Sequence, residues 1–414
     1  MINRSNILTP AESYFIKIYK YALHKKTYPL EEVDKETFQN ILEIARIQHL
    51  LPMICHAIYP SKAALQYEEI FQTYRNQCIN EMVSQVVSTK QFIDLLHFLE
   101  QKGLSPLVVK GIVLRNIYPH EHYRYSTDED LIISAEEKYA YHQALLEYGM
   151  VQDDENDIET ADEISYEHPD SKLYIEVHQN LFPPDSSAYG DLNNYFDYEK
   201  VTIDYHGTPI YTLDFTNHLF YLLCHSFKHF IHGGFGIRQV SDFGLFSHTY
   251  AKEIDWIRFR ELCESIQVFE FSKAMYKICT DHLLVQPAFL YYIKDWNLDA
   301  VDETDLLKDV LAAGIYGASD MVRHHSSNAT LEAINRHKQN KKSRGSLFSN
   351  VFVSYKNLKG RYAYLEKYPF LMPIAWAQRI IDFLKREKKN ENPLEIVQMG
   401  NKRVDLLKKY KIIK

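Results

Sequence analysis

The stretch from Pro106 to Leu131, PLVVKGIVLRNIYPHEHYRYSTDEDL, constrains the fold more than any other part of the chain. Two short apolar runs bound it. Leu107-Val108-Val109 is partly β-branched and predicts a strand, and Leu131-Ile132-Ile133 predicts a second. Between them Lys110-Gly111 breaks the first run, and Ile112 to Tyr118 has the spacing of a short helix stopped by Pro119. A polar turn then leads into Asp128-Glu129-Asp130. Side chains alternate along a strand, so Asp128 and Asp130 share one face, with roughly 7 Å between their Cα atoms, and Glu129 points to the other. Two carboxylates at the start of a strand suit a divalent cation. Mg²⁺ takes one or two of them and completes its octahedron with water and substrate phosphates.

Two later stretches carry polar side chains in ordered patterns. Leu173-Tyr174-Ile175-Glu176-Val177-His178 alternates as a half-buried strand does, with Leu173, Ile175 and Val177 on one side and Tyr174, Glu176 and His178 on the other. Phe215 to His232 has helical spacing, with Asp214 or Thr216 as its N-cap and Gly233-Gly234 at its end. His218, His225, His229 and His232 fall at separations of seven, four and three, so one helix face collects imidazoles, with Lys228 at its edge. Three roles compete for that face. It is a structural histidine cluster, or a surface for phosphate or acceptor formed by His225, Lys228 and His229, or a metal centre of the His/Asp phosphohydrolase kind. The last needs a His-Asp dipeptide, which the chain lacks. Ile237 to His248 predicts a further helix, in which Arg238 and Asp242 would pair across one turn.

The order strand, Gly turn, short helix, then Asp-x-Asp on the next strand resembles the polymerase-β-like nucleotidyltransferase superfamily. More narrowly it resembles a bacterial branch of uncharacterised nucleotidyltransferases whose core reads Lys-Gly, a short helix, then Arg and Asp-x-Asp-Leu. Those positions are here Lys110-Gly111, Arg124 and Asp128 to Leu131. The resemblance extends to Glu176-Val177-His178 and to the helices between His218 and Phe246, about a third of the chain in all. It implies metal-dependent transfer of a nucleoside monophosphate from a nucleoside triphosphate (NTP) to an acceptor hydroxyl. Asp128 and Asp130 would hold Mg²⁺ or Mn²⁺, and Glu176 would be the third acid, either a metal ligand or the general base. Lys110, the Gly111 amide and Arg124 would contact the polyphosphate, with Ser126 or Thr127 adding a hydroxyl. His178 would orient Glu176 or a phosphate, unless it is a structural histidine, and Glu176 itself has the alternative of an exposed strand glutamate. One departure stands out: the Gly-Ser that cradles the triphosphate across the superfamily is replaced by Lys110-Gly111.

Composition narrows the partners. Of 414 residues, 55 are acidic and 47 basic, a net charge of −8, which disfavours a long nucleic acid as acceptor and leaves a small molecule or a protein. Five cysteines lie scattered with no Cys-x-x-Cys pair, as expected of apolar core thiols in a reducing compartment. Residues 1–13 lack an apolar signal core, and no apolar run approaches the roughly 20 residues of a membrane span. A cytoplasmic protein is therefore expected.

The expected fold class is α+β, a small mixed β-sheet core flanked by N-terminal and C-terminal helical regions. The chain divides as residues 1–103, helical; 104–213, the α/β core; and 214–414, helical. In the first part Ala11 to His24, Phe38 to His49 and Leu65 to Lys102 show helical periodicity, with breaks at Pro52 and Pro60. In the core, Ala135 to Tyr148 predicts a helix ended by Gly149. Asp153 to Glu167, with eight carboxylates, predicts a solvated loop, a mobile acidic lid being the alternative. Glu199 to Leu213 predicts a hairpin about His206-Gly207-Thr208 that extends the sheet edge. Beyond it, Asp255 to Leu284, Asp302 to Ile315 and Asp320 to Arg336 predict helices. Lys338 to Arg344 is a basic loop, Leu347 to Leu384 an aromatic-rich packing region or partner groove, and Lys385 to Pro393 a linker before a basic terminal helix. Two rivals to the transferase remain: a core that holds nucleotide without turning it over, and a helical protein-interaction module.

Overall fold

Five short strands pair into one sheet. A computed structural model describes residues 8–314 except 154, 155, 172 and 184–190, then scattered residues between 327 and 378, then 393–413. The strands are β1 (Leu107–Val109), β2 (Glu129–Ile132), β3 (Val151–Gln152), β4 (Glu163–Glu167) and β5 (Tyr174–His178), in the spatial order β1-β2-β5-β4-β3. Strands β2 and β5 run parallel and every other neighbouring pair antiparallel, so the sheet is mixed as expected. Parallel neighbours need a long crossover, and the chain supplies one from β2 through the helix Lys138–Tyr148, β3 and β4. Gly149 closes that helix at φ 102, a left-handed position that glycine adopts without steric cost.

Two expectations change here. The acidic stretch is not all loop: Glu163–Glu167 is strand β4, set between β5 and β3. Its Ile164 and Tyr166 are buried, so a period-two pattern lay inside a carboxylate-rich composition that suggested solvent. The hairpin forms, as β6 (Lys200–Tyr205) and β7 (Thr208–Leu213), but as a sheet of its own. The two strands spend their backbone groups on each other, and β7 meets β1 through a side chain, the Thr212 hydroxyl donating to the Val108 carbonyl at 2.6 Å.

Helices wrap this core. Before it come α1 (Pro10–Leu23), α2 (Lys35–Ile47), α3 (Leu51–Ile58), α4 (Lys62–Gln66) and the 34-residue α5 (Glu68–Gln101). The core holds α6 (Gly111–Arg115) and α7 (Lys138–Tyr148). After it follow α8 (Phe215–His232), α9 (Ile237–Thr249), α10 (Trp256–Ser265), α11 (Phe269–Ile278), α12 (Thr304–Ala313) and α13 (Pro393–Lys409). The Asp214 carboxylate accepts from the Thr216 and Asn217 amides and starts α8 as the sequence indicates. N-terminal and later helices share one interior. Tyr19 Oη lies 2.5 Å from Ser241 Oγ, and the Gln48 side chain accepts from the Ile237 amide and donates to the Val310 and Leu311 carbonyls. All five cysteines are buried and unpaired. No helix among the described residues is long and apolar enough to cross a membrane. The basic loop, most of the aromatic-rich region and the linker lie outside the described residues.

Candidate active site

Strand register builds the site. Asp130 of β2 sits opposite Glu176 of β5, and Glu176 sits opposite Ser165 of β4. One step along, Ile132, His178 and Glu163 form the next row across the same three strands. Alternation puts Tyr174 and Glu167 on this face too, as paired residues of β5 and β4, with Asp128 just ahead of β2. Helix α8 forms the facing wall with Tyr221, His225, Lys228 and His229. Sheet and helix enclose a cleft of about 560 Å³, which Lys110, Thr127, Leu181, Phe182 and Pro183 also line.

The cleft is electrostatically divided. Lys110 adopts φ 55, a left-handed conformation that costs a non-glycine residue energy and recurs where a side chain is aimed at a site. Its amide donates to His218 Nε2 at 3.4 Å, and its Nζ lies 2.9 Å from Asp130 Oδ2 and 3.4 Å from His225 Nε2. Burial pushes the Asp130 carboxyl up, but Lys110 and His178 outweigh it and bring it down to about 2. Asp128 moves the other way, raised by burial and by Asp130. Burial disfavours charge on His178, but the Asp130 and Glu176 carboxylates prevail and raise it to about 9. On the helix wall the sign reverses. Burial and the nearby Lys110 charge hold His229 down at about 3 and keep His225 neutral, and the same two causes lower Lys228.

Asp130, Glu176 and His178 form a potential cation site, with one ligand atom from each lying within 4.8 Å of the others. His178 Nε2 is 3.2 Å from Asp130 Oδ1 and 3.5 Å from Glu176 Oε2, is shielded from solvent, and has no aligned hydrogen bond. A buried imidazole nitrogen converging with two carboxylate oxygens is a donor set that fits a divalent ion.

Other residues of the Pro106 to Leu131 stretch turn away from the cleft. Arg124 is buried in a two-pronged pair with Asp242, Nε and Nη2 each 2.8 Å from a carboxylate oxygen, and does not line the cleft. Asp242 thus pairs with Arg124, and accepts from Tyr118 at 2.7 Å, in place of the expected intrahelical pair; Arg238 donates to the Tyr125 carbonyl instead. The Ser126 hydroxyl bonds Arg115. Gly111 makes room for Glu129, whose carboxylate pairs with buried Arg115 and accepts from the Ile112 amide at 3.0 Å. An internal carboxylate therefore occupies the first turn of α6, where the expectation set a phosphate. Of the histidine face, His225 and His229 reach the cleft. His218 lies beneath it, its Nδ1 2.9 Å from the Thr212 hydroxyl.

Four cleft residues with polar side chains carried no expected role: Glu163, Glu167, Tyr174 and Tyr221. Tyr221 was legible, one turn before His225 on the same face. The signal for Glu163 and Glu167 is the alternation of Glu163-Ile164-Ser165-Tyr166-Glu167, which lies inside the acidic stretch.

A family model described as uncharacterised nucleotidyltransferase matches residues 34–283, more than half of the chain. The match runs from α2 to just past α11 and covers every strand of both sheets and the whole cleft. No curated protein and no solved structure matches the chain.

Proposed function

The chain belongs to the family of uncharacterised nucleotidyltransferases, and from that premise we propose that it moves a nucleoside monophosphate from an NTP to the hydroxyl of a small molecule or a protein. The carrying observation is the register that sets Asp130 beside Glu176, with Asp128 next along the same face, in a cleft that Lys110 and Lys228 also line. Asp128, Asp130 and Glu176 would hold Mg²⁺ or Mn²⁺, which supplies charge neutralisation on the polyphosphate and at the reacting phosphorus. Lys110 and Lys228 face the volume that a triphosphate would fill, and the Thr127 hydroxyl, 3.0 Å from Asp128 Oδ1, lies at its edge. Glu176 would either complete the cation site or take the acceptor proton. The acceptor oxygen would bond to the α-phosphorus as its bond to the bridging oxygen breaks, releasing pyrophosphate.

Titration of ATP, GTP, CTP and UTP with Mg²⁺ or Mn²⁺ tests this on the native chain and on Asp128→Asn/Asp130→Asn. Metal-dependent binding of at least one nucleotide, lost in the double variant, is expected; binding that survives the double substitution overturns the assignment. One observation favours a second reading, a nucleotide binder without turnover: Glu129 fills the turn where a phosphate loop would bind. Metal-dependent nucleotide binding with no pyrophosphate released, whatever acceptor is supplied, would select it.

A further inference from the structure

We propose that His178 is a direct ligand in the cation site, held in place by Glu163, and that the site therefore prefers Mn²⁺ or another transition ion to Mg²⁺. This rests on the reading of the cleft as a nucleotidyltransferase centre and names the class of ion that it takes.

The two ring nitrogens of His178 have different surroundings. Nε2 faces Asp130 Oδ1 and Glu176 Oε2, while Nδ1 lies 3.4 Å from Glu163 Oε2. The Glu163 contact follows from the fold, because Glu163 and His178 are register partners across the antiparallel β4–β5 pair. A carboxylate on one imidazole nitrogen fixes the ring and its tautomer, so that the other nitrogen presents a lone pair; metal-bound histidines are ordinarily supported in this way. The remaining groups leave room for that role. Lys110 takes Asp130 Oδ2, so Oδ1 is the oxygen turned toward Nε2. Ser165, the register partner of Glu176 on its other side, brings no competing charge.

Selectivity follows from ligand chemistry. An imidazole between two carboxylates offers nitrogen to the ion. Mg²⁺ is a hard cation that prefers oxygen and keeps its waters, whereas Mn²⁺ and the later divalent ions accept imidazole readily. Glu163 touches no ion in this arrangement, and is a positioning residue that acts through His178.

The test reads metal binding rather than turnover. Mn²⁺ added to the native protein without nucleotide should show nitrogen hyperfine coupling by pulsed electron paramagnetic resonance, and should bind at least tenfold more tightly than Mg²⁺ by calorimetry. His178→Ala should abolish the nitrogen coupling and bring the Mn²⁺ affinity down toward that of Mg²⁺. Glu163→Gln should keep the coupling while weakening Mn²⁺ binding by about 10- to 100-fold, and Glu163→Asp should restore part of the loss. Absence of nitrogen coupling in the native protein overturns the proposal with no variant required, and so does equal affinity for the two ions. The outcomes separate from those of the proposed function: nucleotide bound through an all-oxygen site would sink this inference alone. Nitrogen-coupled Mn²⁺ with no nucleotide bound would sink the transferase reading and leave the ion site.

Discussion

At the scale of single residues, three carboxylates adjacent in sequence meet two different fates. Asp128 and Asp130 enter the cleft, and Glu129, between them, enters the interior and pairs with Arg115, which is fully buried. An unpaired buried charge is costly, so Arg115→Met should destabilise the protein by about 3–5 kcal/mol in urea unfolding. Adding Glu129→Gln should recover much of that loss, and a double variant as unstable as the single would refute the pairing. Gly111 is tied to the same feature. Its φ of 28 is unfavourable for any side chain, and a Cβ there would overlap the Glu129 carboxylate. Gly111→Ala should therefore cost about 2–4 kcal/mol, read as a lowered melting temperature. Arg124 and Lys110, for both of which the resemblance implied contact with the polyphosphate, take separate roles. Arg124→Lys loses the two-pronged bond to Asp242 and should lower stability by about 1–2 kcal/mol, while changing nucleotide affinity less than threefold. Lys110→Met should weaken nucleotide binding more than tenfold, and the reverse pattern would return Arg124 to the polyphosphate.

At the scale of elements, the site is a strand triplet facing one helix. β2 and β5 were legible, β2 as an apolar run behind Asp-Glu-Asp and β5 by its alternation, and the two-residue period of a strand assigns Asp130, Glu176 and His178 to definite faces. Helix α8 was legible to its ends through Asp214 and Gly233. Strand β4 was not, because eight carboxylates between Asp153 and Glu167 outweighed a five-residue pattern. A composition argument averages over a window, whereas a strand is decided by alternate positions; here Ile164 and Tyr166 bury one face while Glu163 and Glu167 serve the cleft. The Arg238–Asp242 pair failed for a related reason. Helical spacing makes i, i+4 contacts available, but a buried arginine outside the helix binds more strongly because both its prongs are used.

At the scale of the whole molecule, the buried imidazoles couple stability to pH. Burial holds His218 neutral down to about 3, and burial with the Arg238 charge holds His49 neutral down to about 4. Below the ordinary histidine value of 6.5 the unfolded chain takes up protons that the folded chain refuses. Stability should then fall by up to about 1.4 kcal/mol per pH unit for each such residue. His178 has the opposite sign, its contribution being present below 6.5 and lost as pH rises through about 9. In metal-free buffer the urea midpoint should be highest near pH 6.5, falling on the acid side through His218 and His49 and toward pH 9 through His178; a midpoint that stays flat down to pH 4.5 would show that these histidines are not held neutral.

The sequence alone determined the elements, because periodicity and caps act within a few residues: the two Asp-bearing and Glu-bearing strands, the hairpin, α8 and α9, and the α+β class. It also determined that Asp128, Asp130 and Glu176 would bear charge and that one face of α8 would collect imidazoles. Which of those charges meet was decided by tertiary structure. Register between strands some 45 residues apart in sequence sets Asp130 beside Glu176, and the pairing of β4 with β5 brings Glu163 to His178. Burial then chose Arg115 for Glu129 and Asp242 for Arg124, because a charge removed from water needs its partner within hydrogen-bonding distance. Sequence spacing carries no information on those distances between segments.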